Sequence, residues 1–148
     1  MPVDLIIRDA FKSDYDSVFS LICNELGYAG LDFDKFNERM DRFSVDSSMT
    51  TMVADYEGCI VGFIGVQIER AYTLENSAIL IMALAVKSEF QGKGVGSRLL
   101  EWLDDFANRN QISLIAVSSN LRRLDAHAFY ESRGFSKTSY KFKKQLSL

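Results

Sequence analysis

The stretch from Ala78 to Ser97 constrains this chain more than any other. Residues 78–86 (Ala-Ile-Leu-Ile-Met-Ala-Leu-Ala-Val) are nearly all apolar, as expected of a strand covered on both faces. A short loop leads from them into Gln91-Gly92-Lys93-Gly94-Val95-Gly96-Ser97. Residues 94–108 then carry an amphipathic helical period through Val95, Leu99, Trp102, Leu103 and Phe106. Three alternate glycines strip side chains from the start of that helix. Backbone N–H groups there can point at an anion, and the helix dipole adds to the attraction. Lys93 supplies a local positive charge. Strand, glycine turn and helix in this order make a seat for phosphates.

The spacing excludes two common phosphate sites. A P-loop needs G-x-x-x-x-G-K-[ST], and no segment fits. The dinucleotide fingerprint G-x-G-x-x-G fails from either start, because the sixth position is Ser97 counted from Gly92 and Leu99 counted from Gly94. That fingerprint also belongs beside the first strand of a βαβ unit, whereas this loop follows the fourth strand.

The remaining periodicities set the architecture. Residues 3–7 read as a strand and residues 13–27 as a helix, with Ser13 or Asp14 as its cap and Gly27 as its stop. Residues 32–43 repeat the helical pattern through Phe33, Phe36, Met40 and Phe43, and residues 44–48 form a polar loop. Residues 51–56 and 59–68 read as strands joined by a tight Glu57-Gly58 turn. Residues 112–117 read as a buried strand, 123–133 as a helix ending at Gly134, and 138–146 as a closing strand of alternating pattern. The order is β-α-α-β-β-β-α-β-α-β. It predicts an α/β (α+β) fold with a mixed sheet of six to seven strands flanked by about four helices.

The 148 residues suit one domain spanning 1–148 with a single core. A net charge of −3 gives no general attraction to nucleic acid or anionic membrane, so neither is an expected partner. Cys23 and Cys59 stand apart, and with a single histidine they cannot build a structural zinc site. No metal is expected. Free thiols, no leader pattern and no membrane-length apolar run point to a cytoplasmic chain.

Gln91, Gly94 and Gly96, placed directly after Leu84-Ala85-Val86, form Q-x-x-G-x-G. This resembles the pyrophosphate-binding signature of the GNAT superfamily of N-acetyltransferases, and the element order matches that fold over nearly the whole chain. A second stretch, Ala126-His127-Ala128-Phe129-Tyr130-Glu131-Ser132-Arg133-Gly134-Phe135, resembles the family's A-x-x-F-Y-E-x-x-G-F helix beside the pantetheine arm. The resemblance implies an acetyl-CoA-dependent N-acetyltransferase. Its coenzyme contacts would be Leu84, Ala85, Val86, Gln91, Gly92, Lys93, Gly94, Val95, Gly96, Ser97 and Phe129. Many members place an asparagine seven residues before the tyrosine. Here Arg123 holds that position and Asn120 lies ten residues before, so both are candidates for the coenzyme.

The implied reaction is direct attack of an amine on the thioester carbonyl. Backbone groups near residues 84–86 would face the carbonyl oxygen, and a donated N–H there is worth a few kcal/mol, on the order of ~3. Tyr130 would protonate the departing thiolate, because a phenol of pKa about 10 stays protonated where a thiol of about 8.5 is leaving. No acid lies on the buried strand, so Glu69 is the first candidate base, directly or through water, and Glu75 the second. An amine that arrives deprotonated is a third option. His127 reads as structural or coenzyme-proximal. The acceptor pocket should lie in residues 27–43, where Asp32, Asp34, Glu38 and Asp41, with Glu25 nearby, form either an acidic rim for a cationic amine or a solvated face. The acceptor is a small-molecule or peptide amine, and a homodimer is compatible with the sequence. Two other classes compete. One is an acyl-CoA sensor on the same fold in which Tyr130 only packs, and the other is a nucleotide-binding protein using the glycine loop.

Overall fold

The structure, a computed structural model, describes residues 4–147. Alternation and turn chemistry place its antiparallel strands. Strands β2 (Met49–Tyr56) and β3 (Cys59–Glu69) are joined by Glu57 and Gly58, both at positive φ, and the Asp55 carboxylate accepts a hydrogen bond from the Gly58 N–H at 2.8 Å. Strand β1 (Leu5–Asp9) pairs with β2 and β4 (Ala78–Val86) with β3, all antiparallel. Strand β5 (Ile115–Val117) adds in parallel to β4, giving one sheet in the order β1-β2-β3-β4-β5. The predicted start of the first strand at Val3 lies outside the described residues.

Helices cover both faces. Alternate residues of β2 go to opposite sides: Met52 and Ala54 join Ile64, Ile79, Leu99 and Leu103 under α3 (Val95–Arg109), while Val53 joins Val18, Phe36, Met40 and Phe63 under α1 (Tyr15–Glu25) and α2 (Phe33–Ser44). Asp32 caps α2 by accepting from the Lys35 N–H at 2.9 Å. Helix α4 (Leu124–Ser132) packs Phe129 and the following Phe135 onto the α3 side.

Three expectations need correction. The sheet has five strands among the described residues, not six or seven, because residues 138–146 lie exposed and join no ladder. A strand needs a neighbour as well as an alternating pattern. Residues 112–114 also fall outside β5: Ile112 closes the end of α3 instead, donating its N–H to the Ala107 carbonyl at 2.9 Å. Asp14 does not cap α1 with its side chain. Its carboxylate is buried and takes two hydrogen bonds from Arg8, at 2.8 and 3.1 Å, and one from the Phe11 N–H at 2.7 Å. Arg8 also donates to Asp55 at 3.1 Å, so the cluster ties β1, β2 and the turn before α1 together. Arg8 holds the Asp14 carboxyl below its usual range, against the opposing effect of burial.

Candidate active site

The site forms where β4 runs out of partners. Its register with β3 slips between Gly65, which faces Ala83, and Val66, which faces Ile81. Met82 is thus the extra residue of a β-bulge. On the other side β5 pairs only with Ile79, Leu80 and Ile81. From Met82 to Val86 one edge of β4 therefore has no strand beside it, and its backbone groups face an opening. Coverage on both faces was expected for this strand. It holds at Ala78, Ile79 and Ile81, but Met82 is 50% exposed because its neighbour has ended.

Beyond β4 the chain makes a single turn of 3-10 helix (Ser88–Phe90) and enters the glycine loop. Gln91 turns its amide back and donates from Nε2 to the Val86 carbonyl at 3.0 Å, so its side chain braces the loop. Gly94 sits at φ 86°, in the left-handed region that side-chain-bearing residues rarely adopt, and serves as the N-cap of α3. The first helical bond runs from the Arg98 N–H to the Gly94 carbonyl at 3.1 Å. The N–H groups of residues 92–97 donate to no other backbone group among the described residues. Six unpaired donors at the positive end of a 15-residue helix match a diphosphate. Lys93 lies over the Phe90 ring, 5.5 Å from its centroid, on the same loop.

Gly96 has a different role. A Cβ there would stand 3.1 Å from Cζ of Phe129. The bare backbone lets α4 rest on the start of α3, and Arg133 donates to the Ser97 hydroxyl across the same contact. The two sequence signatures therefore touch each other. Tyr130 follows Phe129, is 8% exposed, and packs between Phe129 and Phe135 at centroid distances of 5.8 and 5.5 Å. Its hydroxyl has no hydrogen-bond partner among the described residues. Burial raises its pKa above the usual 10, opposed by the nearby Arg123 charge.

Other predicted residues fall less centrally. Asn120 uses its side-chain oxygen to accept from the Arg122 N–H at 2.9 Å, and its carbonyl accepts from His127 Nε2 at 2.8 Å. His127 thereby ties α4 to the end of the β5 loop. Ser119, next to Asn120, carries a buried hydroxyl oxygen without a partner among the described residues. Sequence reasoning passed over it because a serine in a Ser-Ser-Asn turn carries no signal. Glu69 is half-buried opposite Ala78, four residues before Met82 on β4, about 13 Å away along a strand rising ~3.3 Å per residue. Glu75 is exposed in the loop before β4.

The acidic region over the acceptor helices is largely engaged. Glu25 accepts from the Ser88 N–H and hydroxyl, Asp32 caps α2, and Asp41 pairs with Lys12 at 3.2 Å. Asp34 and Glu38 remain solvated. Phe36 is core and Phe43 packs against it, Phe33 is half-buried, and Phe19 meets Phe33 and Phe36 in tilted contacts at 5.1 and 5.2 Å, while Tyr28 is 57% exposed.

Comparisons with known proteins agree with this geometry. Residues 47–137 match the family model described as an acetyltransferase (GNAT) domain. The chain is 31% identical to an aminoalkylphosphonate N-acetyltransferase of Salmonella typhimurium, over 95% of this chain and 90% of that protein. In fold it resembles a Bacillus halodurans C-125 protein described as a transcriptional regulator, with a TM-score of 0.89 and 23% identity over 96% of this chain and 99% of that one. It also resembles AAC(6')-Iy, solved with the bisubstrate analogue CoA-S-monomethyl-acetylneamine, at TM-score 0.85 and 14% identity over 97% and 99% of the two chains. With a family match over most of its length and its glycine loop in contact with its tyrosine helix through Gly96 and Phe129, the chain belongs to the GNAT superfamily of N-acetyltransferases.

Proposed function

We propose that this single domain acetylates the primary amine of a small molecule, with acetyl-CoA as donor. One observation carries the reading: unpaired amides, an unpartnered strand edge and a buried tyrosine with a free hydroxyl belong to elements that meet at one end of β4. Bound acetyl-CoA supplies an activated acyl thioester. Residues 92–97 hold its diphosphate, with Gln91 bracing the loop and Lys93 adding charge. The free edge of Leu84, Ala85 and Val86 takes its amide-bearing arm as an added strand would be taken. Phe129 and Asn120 line the arm, and the Ser119 hydroxyl is a further donor there. Arg123, whose charge reaches the Tyr130 phenol, lies nearer the thioester than the diphosphate.

The freed N–H at the Met82 bulge faces the place where negative charge grows on the carbonyl oxygen. Tyr130 keeps its proton at neutral pH, because burial raises its pKa, and delivers it to the leaving sulfur. Glu69 is too far along β3 for direct contact or a single bridging water, and takes the amine proton only along a chain of several waters.

The acceptor is a small amine of the aminoalkylphosphonate kind, a reading supported by the 31% identical relative. A polycationic acceptor is disfavoured, because Glu25, Asp32 and Asp41 are committed to protein partners. The test is acetyl-CoA-dependent thiol release with aminoalkylphosphonates, polyamines, aminoglycosides and peptides as acceptors. The aminoalkylphosphonates should give the highest kcat/KM. Coenzyme binding without turnover of any amine would favour the sensor reading instead.

A further inference from the structure

Several arginines of this chain are committed to protein partners. Arg8 holds Asp14 and Asp55, Arg98 donates to the Leu5 carbonyl at 3.2 Å, and Arg133 donates to Ser97. Arg123 is different. It is exposed, and its guanidinium makes no ion pair and no hydrogen bond among the described residues. The acids on its own helix are engaged elsewhere. Asp125 accepts from the Ala126 N–H at 2.9 Å, and Glu131 pairs with Lys137 at 3.6 Å.

Helix geometry fixes where this charge sits. Arg123 is the N-cap of α4, and its carbonyl accepts from the His127 N–H at 3.0 Å. Tyr130 follows seven residues later, close to two turns at ~3.6 residues each, so the two share one face of α4. Helical side chains tilt toward the N-terminus, which leans the Tyr130 ring toward Arg123. The Arg123 charge accordingly reaches the phenol and opposes the rise that burial imposes on its pKa. An unpaired guanidinium beside the reacting sulfur calls for an anion. The coenzyme diphosphate does not supply it, because the pantetheine arm separates the seat at residues 92–97 from the thioester. A net charge of −3 gives an anionic acceptor no general attraction, so such a molecule needs a local cation.

We propose that Arg123 binds an anionic group on the acceptor and so sets a preference for short amines that carry a phosphonate. This rests on the acetyl-transfer reading above. The planar guanidinium takes two oxygens of a tetrahedral oxyanion at once. With the anion held there, an amine a short carbon chain away reaches the carbonyl carbon bonded to the sulfur. An amine without the anion meets the same carbon unanchored.

Steady-state kinetics compare 2-aminoethylphosphonate with ethanolamine, which keeps the amine and the chain but lacks the anion. Wild type should favour the phosphonate in kcat/KM. Arg123→Gln should lower that ratio about 10–100-fold, chiefly through KM, as the loss of a charge-assisted contact does. Arg123→Lys should recover part of it, because it restores the charge without the fork. Arg122→Gln, one position outside the cap, should leave the ratio at its wild-type value. An unchanged ratio in Arg123→Gln overturns the proposal. So does a weakened coenzyme Kd with both amines slowed alike, which would return Arg123 to the coenzyme. A wild type that favours ethanolamine overturns the proposal and leaves acetyl transfer standing. If no amine is turned over, the acetyl-transfer reading fails, and calorimetry of 2-aminoethylphosphonate on the coenzyme-loaded chain decides. Binding that Arg123→Gln weakens about 10–100-fold supports the anion site, and equal binding or none overturns it.

Discussion

Replacing Tyr130 by Phe separates chemistry from packing. The ring is held by Phe129 and Phe135 in tilted and edge-on contacts, and phenylalanine keeps both. The hydroxyl bonds to nothing among the described residues, so its removal breaks no internal hydrogen bond. The fold should therefore change by less than about 0.5 kcal/mol, or about 2 °C in Tm for a domain of this size. Turnover should respond very differently. A positioned general acid contributes about 10²–10⁴ in rate, which at ~1.36 kcal/mol per tenfold is roughly 3–5 kcal/mol of barrier. The coenzyme is gripped by amides at residues 92–97, which the substitution leaves alone, so its Kd should move less than about threefold, the range of a side chain outside the binding contacts. Thiol release gives kcat, and calorimetry gives the coenzyme Kd and, with scanning, Tm. The phenol must be protonated to act, and burial raises its pKa above 10, so Tyr130 should produce no loss of wild-type rate below about pH 10. A variant retaining kcat within about threefold of wild type would remove Tyr130 from proton transfer. A weakened Kd with unchanged kcat would make it a wall of the coenzyme site.

The glycines should divide by kinetic constant. Gly94→Ala forces a side chain into φ 86°, a strain of about 1–2 kcal/mol. It should raise the acetyl-CoA Kd about tenfold, and unchanged binding would mean that the loop does not seat the diphosphate. Gly96→Ala meets Phe129 at 3.1 Å and tilts α4. It should lower kcat by roughly 10–100-fold, with a smaller effect on Kd, as sub-ångström displacement of a catalytic group does. Asp14→Asn should cost about 2–3 kcal/mol at pH 7, since charged hydrogen bonds to a buried carboxylate are lost, and chemical denaturation would measure it. Arg8 depresses the folded-state pKa of Asp14, so its contribution is fully present above the unfolded value near 4 and fades as pH falls through the folded one. The gap between wild type and variant should therefore close below about pH 4, and a gap that widened there would refute the ion-pair account.

What the sequence displayed and what it hid follow one physical division. Local rules were legible. The apolar run marked β4 at both ends, Asp32 capped α2, and Glu57-Gly58 turned the hairpin, because each depends on residues within a few positions. The two family-like stretches were legible for the same reason, although their mutual contact through Gly96 and Phe129 was not. Interactions between distant residues were hidden. Asp14 read as a helix cap because Arg8 and Asp55 reach it only through the register of β1 on β2. Glu25 read as part of a rim because Ser88, its partner, is 63 residues away. The bulge at Met82 was hidden for a different reason. An entirely apolar strand has no alternation to slip, so the bulged residue leaves no trace in the pattern. Residues 138–146 fall under the same division. Their alternation suggested a strand, but no ladder forms there, because an alternating pattern does not name a neighbour.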